Sequence, residues 1–153
     1  MPEQIVIADT SCLIALSKLK LLDALKTLYS NTSITPTISK EFNEPLPKWV
    51  KIQEPKNKNY QRILENILDK GEASAIALAL DYDDVLLILD DLKGRKEAQK
   101  IGFKITGTLG ILHKCKQSGI IYKIKPSIEK LKKSGFRISQ KVEEVLLNAN
   151  DEF

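Results

Sequence analysis

The chain has 153 residues, a formal net charge of +4 and a pI near 9.0. Its 42% hydrophobic and 29% charged residues are the balance of a folded globular protein, which excludes a disordered chain, and the length suffices for a core without staples. Cys12 and Cys115 fit neither a disulfide framework nor a metal-ligand spacing. No run approaches the ~18 apolar residues of a membrane span, and MPEQIVIADTS lacks the parts of a signal peptide. The expectation is a cytoplasmic protein with reduced core thiols and no membrane partner.

In chain order, residues 5–8 form an apolar strand that ends on Asp9. Thr10 and Ser11 are good helix-start residues, and Leu13, Leu16, Leu19, Leu22 and Leu25 predict one long helix behind them. A short strand is expected at 33–35, a helix opened by Pro36 through 43, and an edge strand at 49–52. Helical spacing returns over 57–69. Lys70-Gly71 reads as a break, and Glu72 opens an alanine-rich helix through 80. Residues 85–89 are apolar on both faces, the mark of a central strand in a parallel sheet, and close on Asp90-Asp91. A helix (94–101), a strand (104–106), a helix (107–117) and two closing helices (127–134, 139–148) complete the chain. Right-handed crossovers make this a three-layer α/β/α sandwich with a mainly parallel central sheet. It reads as a single domain over 1–153 with a C-terminal helical appendage at about 127–150.

Ligands of open parallel sheets bind outside the carboxyl ends of the strands. Two strands here end in acids at that edge, Asp9 and Asp90-Asp91. One such acid is often only a helix cap. Several carboxylates buried together require a cation or added protons. With one histidine and no cysteine-rich motif, the hard ions Mg²⁺ or Mn²⁺ fit better than zinc. Hydrolysis would then depend on a metal-activated water, which makes phosphodiester cleavage a natural reaction and a metal-dependent phosphatase an alternative. No nucleotide-binding glycine motif follows the first strand, which removes NTPase and dinucleotide readings. Lysines and arginines crowd the second half, Lys93 and Arg95 among them, as a nucleic-acid partner would require.

The opening IVIADTSCLIAL resembles PIN domains, the nuclease fold of VapC-type toxins. GEASAIALAL (71–80), LILDDLKGRKEAQKIG (87–102), TGTLGIL (106–112) and the GFRIS-containing segment 131–147 are similar to a branch of predicted nucleic-acid-binding PIN proteins. The resemblance covers almost the whole chain. It implies a PIN-like sheet and carboxylates holding one or two divalent ions for RNA hydrolysis. By position it assigns Asp9, Glu41, Glu72 and Asp90 or Asp91 to the catalytic site, with Asp9, Glu72, Asp90 and Asp91 as metal ligands. Glu44 is an alternative to Glu41, and which aspartate of the pair faces the metal is open. Thr10 and Ser11 are assigned to carboxylates or substrate. Lys93 and Arg95 are assigned to phosphate, with pairing to Asp90 or Asp91 as the alternative for Arg95. The resemblance further implies a homodimer and a small antitoxin partner. A PIN-fold nucleic-acid-binding protein without catalysis is the alternative function.

Overall fold

A strand such as Ile5–Ala8, with no polar side chain, is stable only where both of its faces are covered. The computed structural model, which describes residues 4–152, sets it at the centre of a five-stranded sheet. The strands are β1 (Ile5–Ala8), β2 (Asn31–Ile34), β3 (Val50–Ile52), β4 (Val85–Ile88) and β5 (Lys104–Thr106), in the order β3-β2-β1-β4-β5 with every pairing parallel. Helices α1 (Thr10–Lys18), α2 (Ala24–Leu28), α3 (Pro36–Phe42), α4 (Lys58–Leu64), α5 (Lys70–Ala79), α6 (Leu92–Ile101) and α7 (Thr108–Gln117) connect and cover them. Helices α8 (Lys125–Lys133) and α9 (Gln140–Ala149) follow. This is the expected three-layer α/β/α sandwich, with its sheet wholly parallel among the described residues.

The strand order decides where the site lies. The chain runs outward from β1 through β2 to β3, then returns to the other side of β1 as β4 and continues to β5. The order therefore reverses between β1 and β4, and the crevice beyond their carboxyl ends is where such sheets bind ligands. Ala8 pairs with Ile88, and the Asp9 amide donates to the Ile88 carbonyl at 3.0 Å. Asp9 and the Asp90-Asp91 pair thus emerge side by side.

The main core surrounds the sheet. A second cluster of Ala15, Leu112, Ile124, Ile128, Leu131 and Leu147 holds the last two helices down. Both cysteines are buried and free, as their setting in the sequence suggested. No helix among the described residues is long and apolar enough to cross a membrane.

Several element boundaries differ from the sequence reading. The long helix after β1 is two, α1 and α2. Lys20 takes a left-handed conformation (φ 58°), and the amides of Lys20 and Leu21 close back onto the Ser17 and Leu16 carbonyls. That closure terminates α1 as a glycine usually would. Strand β2 begins at Asn31, and Thr35, expected at its end, is instead the cap of α3, its Oγ1 accepting from the Ile38 amide at 3.2 Å. Gly71 lies inside the first turn of α5, because Asp69 caps that helix by accepting from the Glu72 amide at 2.8 Å.

The end of the chain is clasped. Glu152 is buried, and its carboxylate accepts from Lys116 Nζ at 2.7 Å and from the Ile124 and Lys125 amides at 2.8 and 3.0 Å. It caps α8 from outside, where the helix has no side-chain cap of its own.

Candidate active site

Asp9 stands at the cap position of α1, yet its side chain makes no capping hydrogen bond. Its use is therefore not that of an ordinary helix cap. Only 6% of the residue is exposed, and burial is the main reason its carboxyl is pushed up to about 7. The Thr10 amide works against that rise, while the negative charges of Asp69, Glu41 and Asp90 add to it.

Glu72 faces it from the first turn of α5. It is also buried, and among the described residues no N–H or hydroxyl donates to its Oε2. Burial, with the Asp69 and Asp91 carboxyls in hydrogen-bonding reach, holds its carboxyl well above the usual range. Glu41, exposed near the end of α3, accepts from Thr10 Oγ1 at 2.6 Å. A buried 2.6 Å bond between Thr35 and Ser74 fixes the helices that carry Glu41 and Glu72 to each other. Asp9, Thr10, Ser11, Glu41, Asp69, Glu72 and Asp91 line a common cleft of roughly 580 Å³.

Two glycines make room for these carboxylates. A Cβ at Gly71 would collide with Glu41 Oε1 and lie 3.4 Å from Asp9 Oδ1, and one at Gly94 would lie 2.6 Å from Glu72 Oε2. Both meet the far end of a side chain, so a methyl would displace the carboxylate and leave the backbone in place. Gly94→Ala is thus expected to keep or raise stability, by up to ~1 kcal/mol from helix propensity, while weakening Mn²⁺ binding about tenfold. Denaturant unfolding and a Mn²⁺ titration of the same preparation check the two halves.

The aspartate pair divides its duties. Both Asp90 oxygens are engaged by Thr108, through its amide at 2.7 Å and Oγ1 at 2.6 Å, which caps α7 in place of the side-chain-less Gly107. Asp90 lines an adjoining cleft and acts on Asp9 through its charge. Asp91 lines both clefts while one of its oxygens caps α6, accepting from the Lys93 and Gly94 amides at 3.1 and 3.3 Å. Arg95 donates to the Leu89 carbonyl at 3.2 Å and forms no ion pair with Asp90 or Asp91. Lys93 lines a separate groove with Lys96 and Lys100. Glu44 is exposed and does not line the Asp9 cleft.

Sequence reasoning passed over Asp69. Its signal was present: Asp69-Lys70-Gly71-Glu72 has the spacing of a capping box, in which an acid at the third helical position reaches back to the cap. Here Glu72 turns into the cleft and leaves the box half made.

Among the described residues, no three His, Cys, Asp or Glu side chains stand close enough to hold a metal ion as they are. The donor chemistry nevertheless fits one. The donors are all oxygen, as Mg²⁺ and Mn²⁺ prefer. Glu72 Oε2 is a buried acceptor without a donor, and Asp9 is a buried carboxyl surrounded by like charge. A divalent cation would relieve both.

A parallel sheet with an acidic crevice at the reversal of its strand order defines the class, an α/β protein with carboxylates gathered at its strand ends. A family model described as a PIN domain matches residues 5–152, and the chain belongs to that family, a nuclease-type fold. PIN domains are generally nucleases and typically use divalent metals. No curated protein matches the chain.

Proposed function

We propose that this PIN domain is a divalent-metal-dependent endoribonuclease. The observation that carries the proposal is the pair of buried acids, Asp9 and Glu72, on one cleft with Glu41, Asp69 and Asp91 beside them and no basic residue in its lining. Burial and neighbouring acids disfavour the charged form of both carboxyls, a cost a bound cation would remove. Asp9, Glu72 and Asp91 are the proposed ligands, Mg²⁺ or Mn²⁺ the ion, and Glu41 and Asp90 complete the catalytic acids. When bound, the ion supplies positive charge against the phosphate and lowers the pKa of water. The chain's own residues do the rest. Asp90 fixes the start of α7 through Thr108, Glu41 orients the Thr10 hydroxyl, and Thr10 and Ser11 meet the substrate from the first turn of α1. Arg95 and Lys93 are assigned to more distant phosphates of the strand.

The same reading makes residues 1–153 one catalytic domain with α8 and α9 as its appendage, working in the cytoplasm. The resemblance adds a toxin's role, with a small antitoxin protein as inhibitor, and a homodimer. A neighbouring reading frame for an antitoxin-like protein and a sedimentation mass twice that of the chain are the expected observations.

Incubation with structured and single-stranded RNA in Mg²⁺, Mn²⁺ or EDTA tests the function. Endonucleolytic products that vanish in EDTA are expected. Binding without cleavage would favour a non-catalytic PIN-fold binder, and turnover of small phosphomonoesters alone would favour a phosphatase.

A further inference from the structure

A second cleft of about 650 Å³ lies beside the first, and Asp91 belongs to both. Two arginines line it, Arg95 from α6 and Arg137 from the segment between α8 and α9. Leu109, Phe136 and Val142 supply an apolar surface in the same cleft.

No ion pair joins the charges in this cleft, although Arg95 Nη1 and Asp90 Oδ1 both border the space beside Gly107. Asp90 is satisfied by Thr108, and Arg95 is bonded to a neutral carbonyl. Arg137 is exposed and is in none of the ion pairs or hydrogen bonds among the described residues. Two cations that close no ion pair, one of them exposed and without a partner among the described residues, are placed for an anion from outside. A guanidinium matches the geometry of a phosphate with two parallel donors. The apolar surface in the same cleft suits a nucleobase or the face of a ribose.

We infer that this cleft seats the nucleotide next to the scissile phosphate, with its phosphodiester on Arg137 and Arg95 and its base against Leu109, Phe136 and Val142. Arg137 is then a positioning residue that sets where the RNA strand crosses the acidic cleft. The inference rests on the proposed ribonuclease function and adds the direction in which substrate leaves the site.

The test compares wild type with Arg137→Ala, and with Lys51→Ala on β3 at the opposite edge of the sheet. Fluorescence anisotropy with a labelled single-stranded RNA of roughly 12 nucleotides is read in EDTA over a range of salt, and cleavage is read in Mn²⁺. Arg137→Ala is expected to weaken binding about fivefold and to make the slope of log K against log salt shallower by about 0.7, one phosphate contact. Its KM should rise by a similar factor with kcat nearly unchanged, while Lys51→Ala matches wild type in slope and KM. An unchanged slope and KM in Arg137→Ala, with wild type active, overturns this inference and leaves the ribonuclease reading standing. Equal losses in Lys51→Ala and Arg137→Ala overturn it too, since net charge alone would then be at work. A wild type that neither binds nor cleaves RNA overturns the ribonuclease reading, and this inference with it.

Discussion

Asp9→Asn is expected to reduce metal-dependent cleavage by at least ~100-fold, and at the same time to stabilise the metal-free protein above neutral pH. The two effects have one cause. The Asp9 carboxyl is raised from 3.8 to about 7 because burial and three neighbouring carboxylates disfavour its charge. A group raised in this way contributes stability that is fully present below its unfolded value and is lost as pH rises through its folded value. The metal-free wild type should therefore lose stability between about pH 4 and pH 8, on the order of 4 kcal/mol from Asp9 at most. Glu72, shifted in the same direction, adds to the loss. Asparagine stays neutral, so the variant should lack Asp9's share of the loss and melt several degrees higher than wild type near pH 8 in EDTA. Added Mn²⁺ should close the gap from the wild-type side alone. Melting temperature against pH, with EDTA and with Mn²⁺, reads all of this. A wild-type curve that is flat across neutrality in EDTA would contradict it.

Glu152→Ala is expected to damage the fold while leaving the cleft untouched. The Glu152 carboxylate is the meeting point of Lys116 Nζ and the Ile124 and Lys125 amides. Burial raises its pKa, but the Ile124 amide, Lys116 and the Lys125 amide outweigh burial and hold the carboxyl down at about 2. Its stabilisation is present above the ordinary glutamate value and is lost as pH falls through about 2. Alanine leaves two helix-start amides without their acceptor and the mostly buried Lys116 ammonium with only the Asn150 carbonyl, which costs about 3 kcal/mol. For a chain of this size that is a fall of about 10 °C in melting temperature. Urea unfolding measures it. Pairing Glu152→Ala with Lys116→Met should recover part of the loss, because the orphaned charge is then gone. The cost should appear in unfolding free energy and leave cleavage per folded molecule nearly intact, since the clasp does not line the Asp9 cleft.

Much of the framework was legible because short-range chemistry dictates it. An all-apolar β4 belongs in the interior of a parallel sheet, and the acids that end β1 and β4 then fall at the reversal of strand order. What could not be read depends on contacts made across the fold. Nothing in a lysine announces the left-handed turn at Lys20 that ends α1. The division of Asp90 from Asp91 is decided by Thr108, 18 residues beyond Asp90. Arg95, which could equally have paired with the aspartates, instead finds the Leu89 carbonyl. Gly71 looked like a helix break because a glycine in isolation is one. Its place in α5 depends on the Asp69 cap and on the space that Glu41 needs. The Glu152 clasp spans 27 to 36 residues and leaves no local pattern.

The claim that the cleft is a divalent-metal site is tested most directly by Mn²⁺ binding. Electron paramagnetic resonance of free Mn²⁺ near neutral pH would follow a titration of wild type, Asp9→Asn and Glu72→Gln. Saturable binding by wild type is predicted, weakened at least ~10-fold in each variant while both remain folded. Binding that is absent in wild type, or undiminished in both variants, would contradict the account.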